Sequence, residues 1–201
     1  MKLYPSIQGS SKAPRKQCIA FYKYDGSNLR SEWNKKTGWS KFGTRKRLFD
    51  ESDPDFGPAI EIFHNTLAKD LENVFAKKYR DDRNITVFME FFGDKSFAGQ
   101  HVQDDPKKLI LIDVNIYKKG FVAPREFVKN FKDVASAEVV YEGNLNEEFI
   151  NDVRIGNYKV DEGVICKGGS GHDLWMCKIK TDAYLEKLKE TFHSNWKDYW
   201  E

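Results

Sequence analysis

Lys23-Tyr24-Asp25-Gly26-Ser27-Asn28 is the stretch on which the reading of this chain turns. It follows an apolar run, Cys18 to Tyr22, and precedes a second strand-like run, Leu29 to Trp33. That order predicts a lysine at the end of one strand, with Asp-Gly turning the chain into the next. Such a lysine suits a covalent intermediate with a phosphate. Its amine attacks only when deprotonated, so it needs burial or neighbouring positive charge to lower its pKa. At ordinary residue frequencies Lys-x-Asp-Gly arises by chance in about one chain of this length in twenty. Its meaning therefore rests on what the remaining residues supply.

The chain has 201 residues, enough for one large domain or two small ones. Hydrophobic residues at 40% and aromatics at 14% provide a core, while 32% charged residues imply a well-solvated surface. The formal net charge of +2 gives no global attraction to nucleic acid, so any basic surface is local. Cys18, Cys166 and Cys177 are odd in number and widely spaced, which reads as reduced core thiols. The histidines show no ligand spacing with them, which argues against structural zinc. Residues 1–16 lack the apolar core of a signal peptide, and no run reaches the roughly 20 apolar residues of a membrane span. A soluble, cytoplasmic protein with no membrane partner is the expectation.

Taken in order, residues 1–16 read as an irregular lead-in that packs across a domain edge. Ser27–Trp33 and Trp39–Gly43, joined by the turn signal at 34–38, form a hairpin. Thr44-Arg45-Lys46-Arg47 is a basic turn. Ile60, Phe63, Leu67, Leu71, Val74 and Phe75 recur at helical spacing and predict one helix over 58–79. Asn84–Phe92 is a strand with Glu90 inside it, and an unpaired buried carboxylate is costly. Residues 93–106, with His101, read as a loop, Lys108–Tyr117 as a strand and 123–135 as a helix opened by Pro124. A strand over 137–141 and a helix capped by Asn146 follow. Lys159–Lys167 and Leu174–Thr181 read as paired strands, with Lys178 and Lys180 on one face. An amphipathic helix over 182–201 closes the chain, its apolar stripe formed by Tyr184, Leu188, Phe192, Trp196 and Tyr199.

The charged residues inside these strands come in an informative order. Lys23-Tyr24-Asp25-Gly26-Ser27-Asn28 is followed by Phe88-Met89-Glu90-Phe91-Phe92-Gly93 and Leu111-Ile112-Asp113-Val114. Glu162-Gly163-Val164-Ile165-Cys166-Lys167 and Met176-Cys177-Lys178-Ile179-Lys180 complete the set. This succession resembles the covalent nucleotidyltransferase superfamily of ATP-dependent ligases and mRNA capping enzymes. The Gly-Ser-Asn ending, the short Glu-Phe-Phe-Gly motif and the closing Lys-x-Lys are most similar to phage-type ATP-dependent RNA ligases. The resemblance spans residues 18–180.

The resemblance implies that Lys23 attacks the α-phosphate of ATP and releases pyrophosphate. AMP then passes to an RNA 5′-phosphate, and a 3′-hydroxyl end finally displaces the AMP to seal the strand. Glu90 would hold ribose hydroxyls, and Ile112 would pack on the base where relatives place an aromatic. Arg45, preferred to Arg47 by its distance from Lys23, would contact nucleotide or 5′-phosphate. Glu162 would organise hydrated Mg²⁺ or Mn²⁺. Lys178 and Lys180 would neutralise the α-phosphate and depress the pKa of Lys23. Lys167 joins the nucleotide site, and Asn28 acts near the strand end. Phosphoryl transfer is mostly positioning and charge neutralisation, so these residue types independently suit it.

About 20 residues follow Lys180, where DNA ligases and capping enzymes carry an OB-fold. A single adenylation domain over 1–201, without that OB-fold, is therefore expected. It argues against a capping enzyme and leaves room for an accessory protein or domain. A minimal ligase acting on DNA, or a non-catalytic module binding nucleic-acid ends, are the rival readings. Lys35–Lys36 and Lys41–Arg47 are candidate strand-binding surfaces, with a solvated face the plain alternative. The implied fold is α+β: two packed antiparallel sheets flanked by helices. Lys23, Glu90, Glu162, Lys178 and Lys180 would all point into the cleft between them.

Overall fold

The apolar run from Cys18 to Tyr22 forms one strand of the first sheet, buried on both faces, with Cys18 and Ala20 on one side and Ile19 and Phe21 on the other. The computed structural model describes residues 1–94 and 104–199, so His101 lies outside the described residues. Among these, one sheet comprises β1 (Gln8–Gly9), β2 (Gln17–Lys23), β9 (Val139–Asn144), β10 (Gly163–Gly168) and β11 (Trp175–Lys180). Its spatial order is β1-β11-β10-β2-β9. The second sheet comprises β3 (Ser27–Asn34), β4 (Gly38–Thr44), β5 (Leu48–Phe49), β6 (Asn84–Phe92), β7 (Lys108–Ile116) and β8 (Gly120–Phe121). Its order is β5-β4-β3-β6-β7-β8. The architecture is α+β, as expected. The first sheet is mixed rather than purely antiparallel, because the lead-in contributes β1, parallel to β11.

Each sheet buries one face under helices and turns the other toward the cleft. Cys18, Ala20, Val164, Cys166, Cys177 and Ile179 pack against Phe149, Ile150 and Val153 of α4 (Glu147–Arg154). The cysteines are thus free core thiols. Asn146 caps α4 by accepting from Phe149 N–H at 2.8 Å. On the second sheet Leu29, Val87, Met89 and Leu111 pack with Phe63 and Leu67, with Leu71 and Phe75, and with Phe127 and Phe131. These come from α1 (Pro58–Thr66), α2 (Ala68–Lys78) and α3 (Pro124–Asn130) and the residues that flank them. Burying each such side chain contributes about 1.5–3 kcal/mol relative to leaving it in water.

Three predicted elements change. The helix over 58–79 is two, because Leu67 leaves helical geometry at φ −120°. Thr66 Oγ1 donates back to the Ile62 carbonyl at 2.7 Å, a bond that bends helices. The apolar stripe runs unbroken through Leu67, so periodicity cannot register the break. The closing helix, α5 (Asp182–Phe192), stops at His193, whose φ is +47°, and continues as tighter 3₁₀ turns to Tyr199. His193-Ser194-Asn195 are weak helix formers, which permits the change. The strand expected from Lys159 begins only at Gly163, because Lys159 takes φ +52° and the chain bends at 161–162. The helix opened by Pro124 is also shorter than predicted, and β9 starts two residues late.

Two glycines are dictated by close approach. A Cβ on Gly26 would lie 2.5 Å from the Phe91 carbonyl oxygen, so only glycine lets the Lys23 loop lie on β6. Gly163, at φ +149°, would bring a Cβ to 2.0 Å from the Ile179 carbonyl oxygen. It sits between Lys23 and Lys180 in register, facing both.

Candidate active site

Strand parity assembles the site. Lys23 ends β2, Lys178 and Lys180 lie two apart on β11, and Ile165 and Lys167 lie two apart on β10. All five line one cleft of about 730 Å³ with Asn28, Arg45, Glu90, Ile112 and Glu162. Every predicted site residue therefore reaches the same cavity, whose size suits a small-molecule ligand.

Its centre is a row across three strands, Lys23, Gly163 and Lys180. Glu162, in the bend before β10, bridges the two lysines. Its Oε1 lies 2.6 Å from Lys23 Nζ and 3.4 Å from Lys180 Nζ. The Glu162 and Lys180 side chains are nearly buried, whereas Lys23 keeps 21% of its exposure. Burial is the largest influence on Lys23 and favours its neutral amine. Glu162, Glu90 and Asp25 together outweigh it, so the pKa stands above the ordinary lysine value. This corrects the sequence expectation of a depressed Lys23. The depressed lysine is Lys180, lowered to about 8 by burial foremost, then by Lys23 and Lys178, against Glu162.

Glu90 faces Asn28 across the β3–β6 register. Burial pushes its pKa up to about 7, with Glu162 adding and Lys23, Arg45 and Asn28 opposing. The folded state therefore retains a proton that the unfolded chain releases at about 4.5. The stability carried by protonated Glu90 is intact at low pH and is lost as pH rises from about 4.5 through about 7. Glu90→Gln stays neutral throughout. Its melting temperature, measured without nucleotide, should gain on the native protein near pH 8 but not near pH 5. An equal difference at the two pH values would contradict the placement.

At the other end of the cleft, β7 carries a bulge. Phe88 pairs with Asp113 and Met89 with Leu111, leaving Ile112 without a register partner. Its carbonyl accepts from Lys167 Nζ at 2.7 Å. Lys167 Nζ also lies 2.6 Å from Asp113 Oδ2, with both side chains almost wholly buried. A sequence signal for this bulge exists: apolar core positions step from 109 and 111 to 114 and 116, switching parity at Ile112.

Two residues of this site were invisible to motif reading. Tyr4, from the lead-in, is buried, lines the cleft and donates to Asp113 Oδ2 at 2.5 Å. Burial and Asp113 hold its pKa well above the usual tyrosine value. Tyr184 of α5 donates to Asp25 Oδ1 at 3.0 Å. Partners this far apart in the chain leave no local pattern. The lead-in also meets Arg45, whose Nη2 donates to the Pro5 carbonyl at 3.4 Å. Its guanidinium lies 6.0 Å from the Tyr4 ring centroid. Arg47 instead pairs with Asp53.

No protein-family model matches the chain, and a search of curated proteins finds no match. Solved structures do match. The chain is similar to a Naegleria gruberi RNA ligase with ATP and Mn, with TM-score 0.69 and 17% identity over 94% of this chain and 59% of that one. An archaeal ATP-dependent RNA ligase matches with TM-score 0.68 and 15% identity over 97% of this chain and 52% of that one. A candidate ATP-dependent DNA ligase from Aquifex aeolicus matches with TM-score 0.69 and 14% identity over 99% and 57%. The chain thus spans little more than half the length of each. The two sheets, their helices and the cleft between them form the fold that the chain shares with these ATP-dependent ligases.

Proposed function

We propose that the chain is the adenylation domain of an ATP-dependent RNA ligase. The observation that carries this reading is the Lys23–Glu162–Lys180 row on the wall of a cleft large enough for a nucleotide. In the first step the deprotonated Lys23 amine forms a P–N bond to the α-phosphorus. The bond from that phosphorus to the β-bridging oxygen breaks, and pyrophosphate leaves with the electron pair. Lys23 is protonated before nucleotide binds, and Glu162 Oε1 at 2.6 Å is the nearest acceptor for its proton. Lys178 and Lys180 meet charge developing on the α-phosphate. Glu90 takes ribose hydroxyls, Ile112 and Lys167 border the base, and Arg45 meets phosphate.

An RNA 5′-phosphate oxygen then attacks the α-phosphorus and releases the lysine. Finally a 3′-hydroxyl, held near Asn28, attacks the adenylated 5′-phosphorus and AMP departs. A divalent cation, Mg²⁺ or Mn²⁺, would neutralise phosphate charge. Among the described residues no cluster of three or more His, Cys, Asp or Glu is placed to hold a metal. Glu162 would hold such an ion through its water shell, and the ion would supply charge neutralisation at the phosphates. Among the described residues no helix is long and apolar enough to cross a membrane.

Incubation with α-labelled ATP and Mg²⁺ tests the first step, with α-labelled GTP in parallel. Covalent label from ATP is expected; no label from either nucleotide, with retained binding to strand ends, would instead identify an end-binding module. Nicked RNA, nicked DNA and single strands, offered to one preparation, test the strand. RNA joining is expected, and faster DNA joining would overturn that part.

A further inference from the structure

Tyr184 fits an apolar helical stripe by sequence, and in space it is wired to polar groups of the cleft. Its side chain is 1% exposed, so its hydroxyl requires an internal partner. That partner is Asp25 Oδ1 at 3.0 Å, inside the Lys23 loop. The face of the same ring lies 5.0 Å from Lys180 Nζ, within cation–π range. A leucine would fill the stripe equally well and make neither contact.

The helical turn carrying Tyr184 is anchored in the same region. Thr181 Oγ1 accepts from Tyr184 N–H at 3.1 Å and donates to the Asp161 carbonyl at 2.9 Å. Thr181 N–H donates to the Glu162 carbonyl at 3.0 Å. One turn of α5 thus holds the Asp25 loop, the 161–162 bend and the Lys180 ammonium together. These three segments surround Lys23 and share no backbone continuity, so their relative placement depends on what ties them across space.

We propose that Tyr184 is a positioning residue for nucleotidyl transfer, fixing Asp25 and Lys180 around the attacking Lys23 amine. This role rests on the ligase reading above. Tyr184→Phe keeps the ring over Lys180 and the core volume but deletes the bond to Asp25. Tyr184→Leu deletes both contacts. In single-turnover labelling with α-labelled ATP and Mg²⁺, the maximal rate constant of Tyr184→Phe should fall about tenfold, the scale of a hydrogen bond to a charged group. Its apparent affinity for ATP should stay within about twofold, because the contact is to the protein and not the nucleotide. Tyr184→Leu should fall about tenfold further, as the seat of Lys180 is also lost. Tyr184→Phe should change the rate less than about twofold in an Asp25→Asn background, since the two residues act as one unit.

A purely structural tyrosine gives other results. Tyr184→Phe would then label at the native rate, and Tyr184→Leu would lose rate only in proportion to its unfolded fraction, measured by thermal melting. Either of these outcomes overturns the proposal. A native protein that takes no label at all sinks the ligase reading and this role together. It is distinguishable from a labelled native protein with an undisturbed Tyr184→Phe.

Discussion

Replacing Lys23 with alanine should abolish covalent labelling by α-labelled ATP while leaving the protein folded. The loss should reach at least about 1000-fold, the scale on which removal of a covalent nucleophile registers. The fold should survive because Glu162 retains Lys180 at 3.4 Å when Lys23 is gone, so no buried carboxylate is stranded. Lys180 is the amine best placed to substitute, and its lowered pKa of about 8 makes it the more readily deprotonated of the two. It should nevertheless fail, because its ammonium is held between Glu162 and the Tyr184 ring, one strand beyond Gly163. Lys23→Arg should be equally inactive, since a guanidinium stays protonated. Mass-spectrometric mapping of the labelled peptide decides the matter. Label on Lys180 in the Lys23→Ala protein would overturn the assignment of the nucleophile.

Asp113→Ala should cause the largest loss of stability among single changes in the cleft. Asp113 receives the Lys167 ammonium at 2.6 Å and the Tyr4 hydroxyl at 2.5 Å, and all three side chains are buried. Removing the carboxylate strands a buried cation and a hydroxyl, a break worth about 3–5 kcal/mol. For a chain of this length that corresponds to a fall in melting temperature on the order of 10 °C. The triple change Asp113→Leu, Lys167→Met and Tyr4→Phe removes every orphan at once and should restore most of the loss. The restored protein should still bind ATP more weakly than the native one, because Lys167 lines the cleft. Thermal melts and ATP titrations read the two effects separately. Unchanged ATP affinity in the triple variant would confine Lys167 to a structural role.

The contrast between Lys23 and Tyr184 shows what could be read before the fold was known. Lys23, Glu90, Lys178 and Lys180 stand within strand-like runs, whereas alternation over 159–167 would put Glu162 on the core face with Val164 and Cys166; the bend before Gly163 instead places it in the cleft with the others. Tyr184 stood in an equally regular pattern that assigned it to the core. It is in the core, yet its hydroxyl meets a residue 159 positions away. The parity switch at Ile112 was written in the chain, but only the pairing of β6 with β7 converts it into a bulge facing the cleft. The charge state of Lys23 departs from the sequence expectation for a related reason. The same-face lysines are visible in sequence, whereas Glu162 at 2.6 Å and the added fields of Glu90 and Asp25 act through space.

By itself, then, the chain determined its strands, the faces they bury, the α+β class and the ordered set of charged groups. Those follow from local steric alternation and from motifs a few residues long. Tertiary structure alone decided the break at Leu67, the parallel strand Gln8–Gly9, the Tyr4–Asp113–Lys167 network, the tie from Tyr184 to Asp25 and the net protonation of Lys23. Each depends on distances between segments far apart in sequence, and both Coulomb energies and hydrogen bonds are set by those distances.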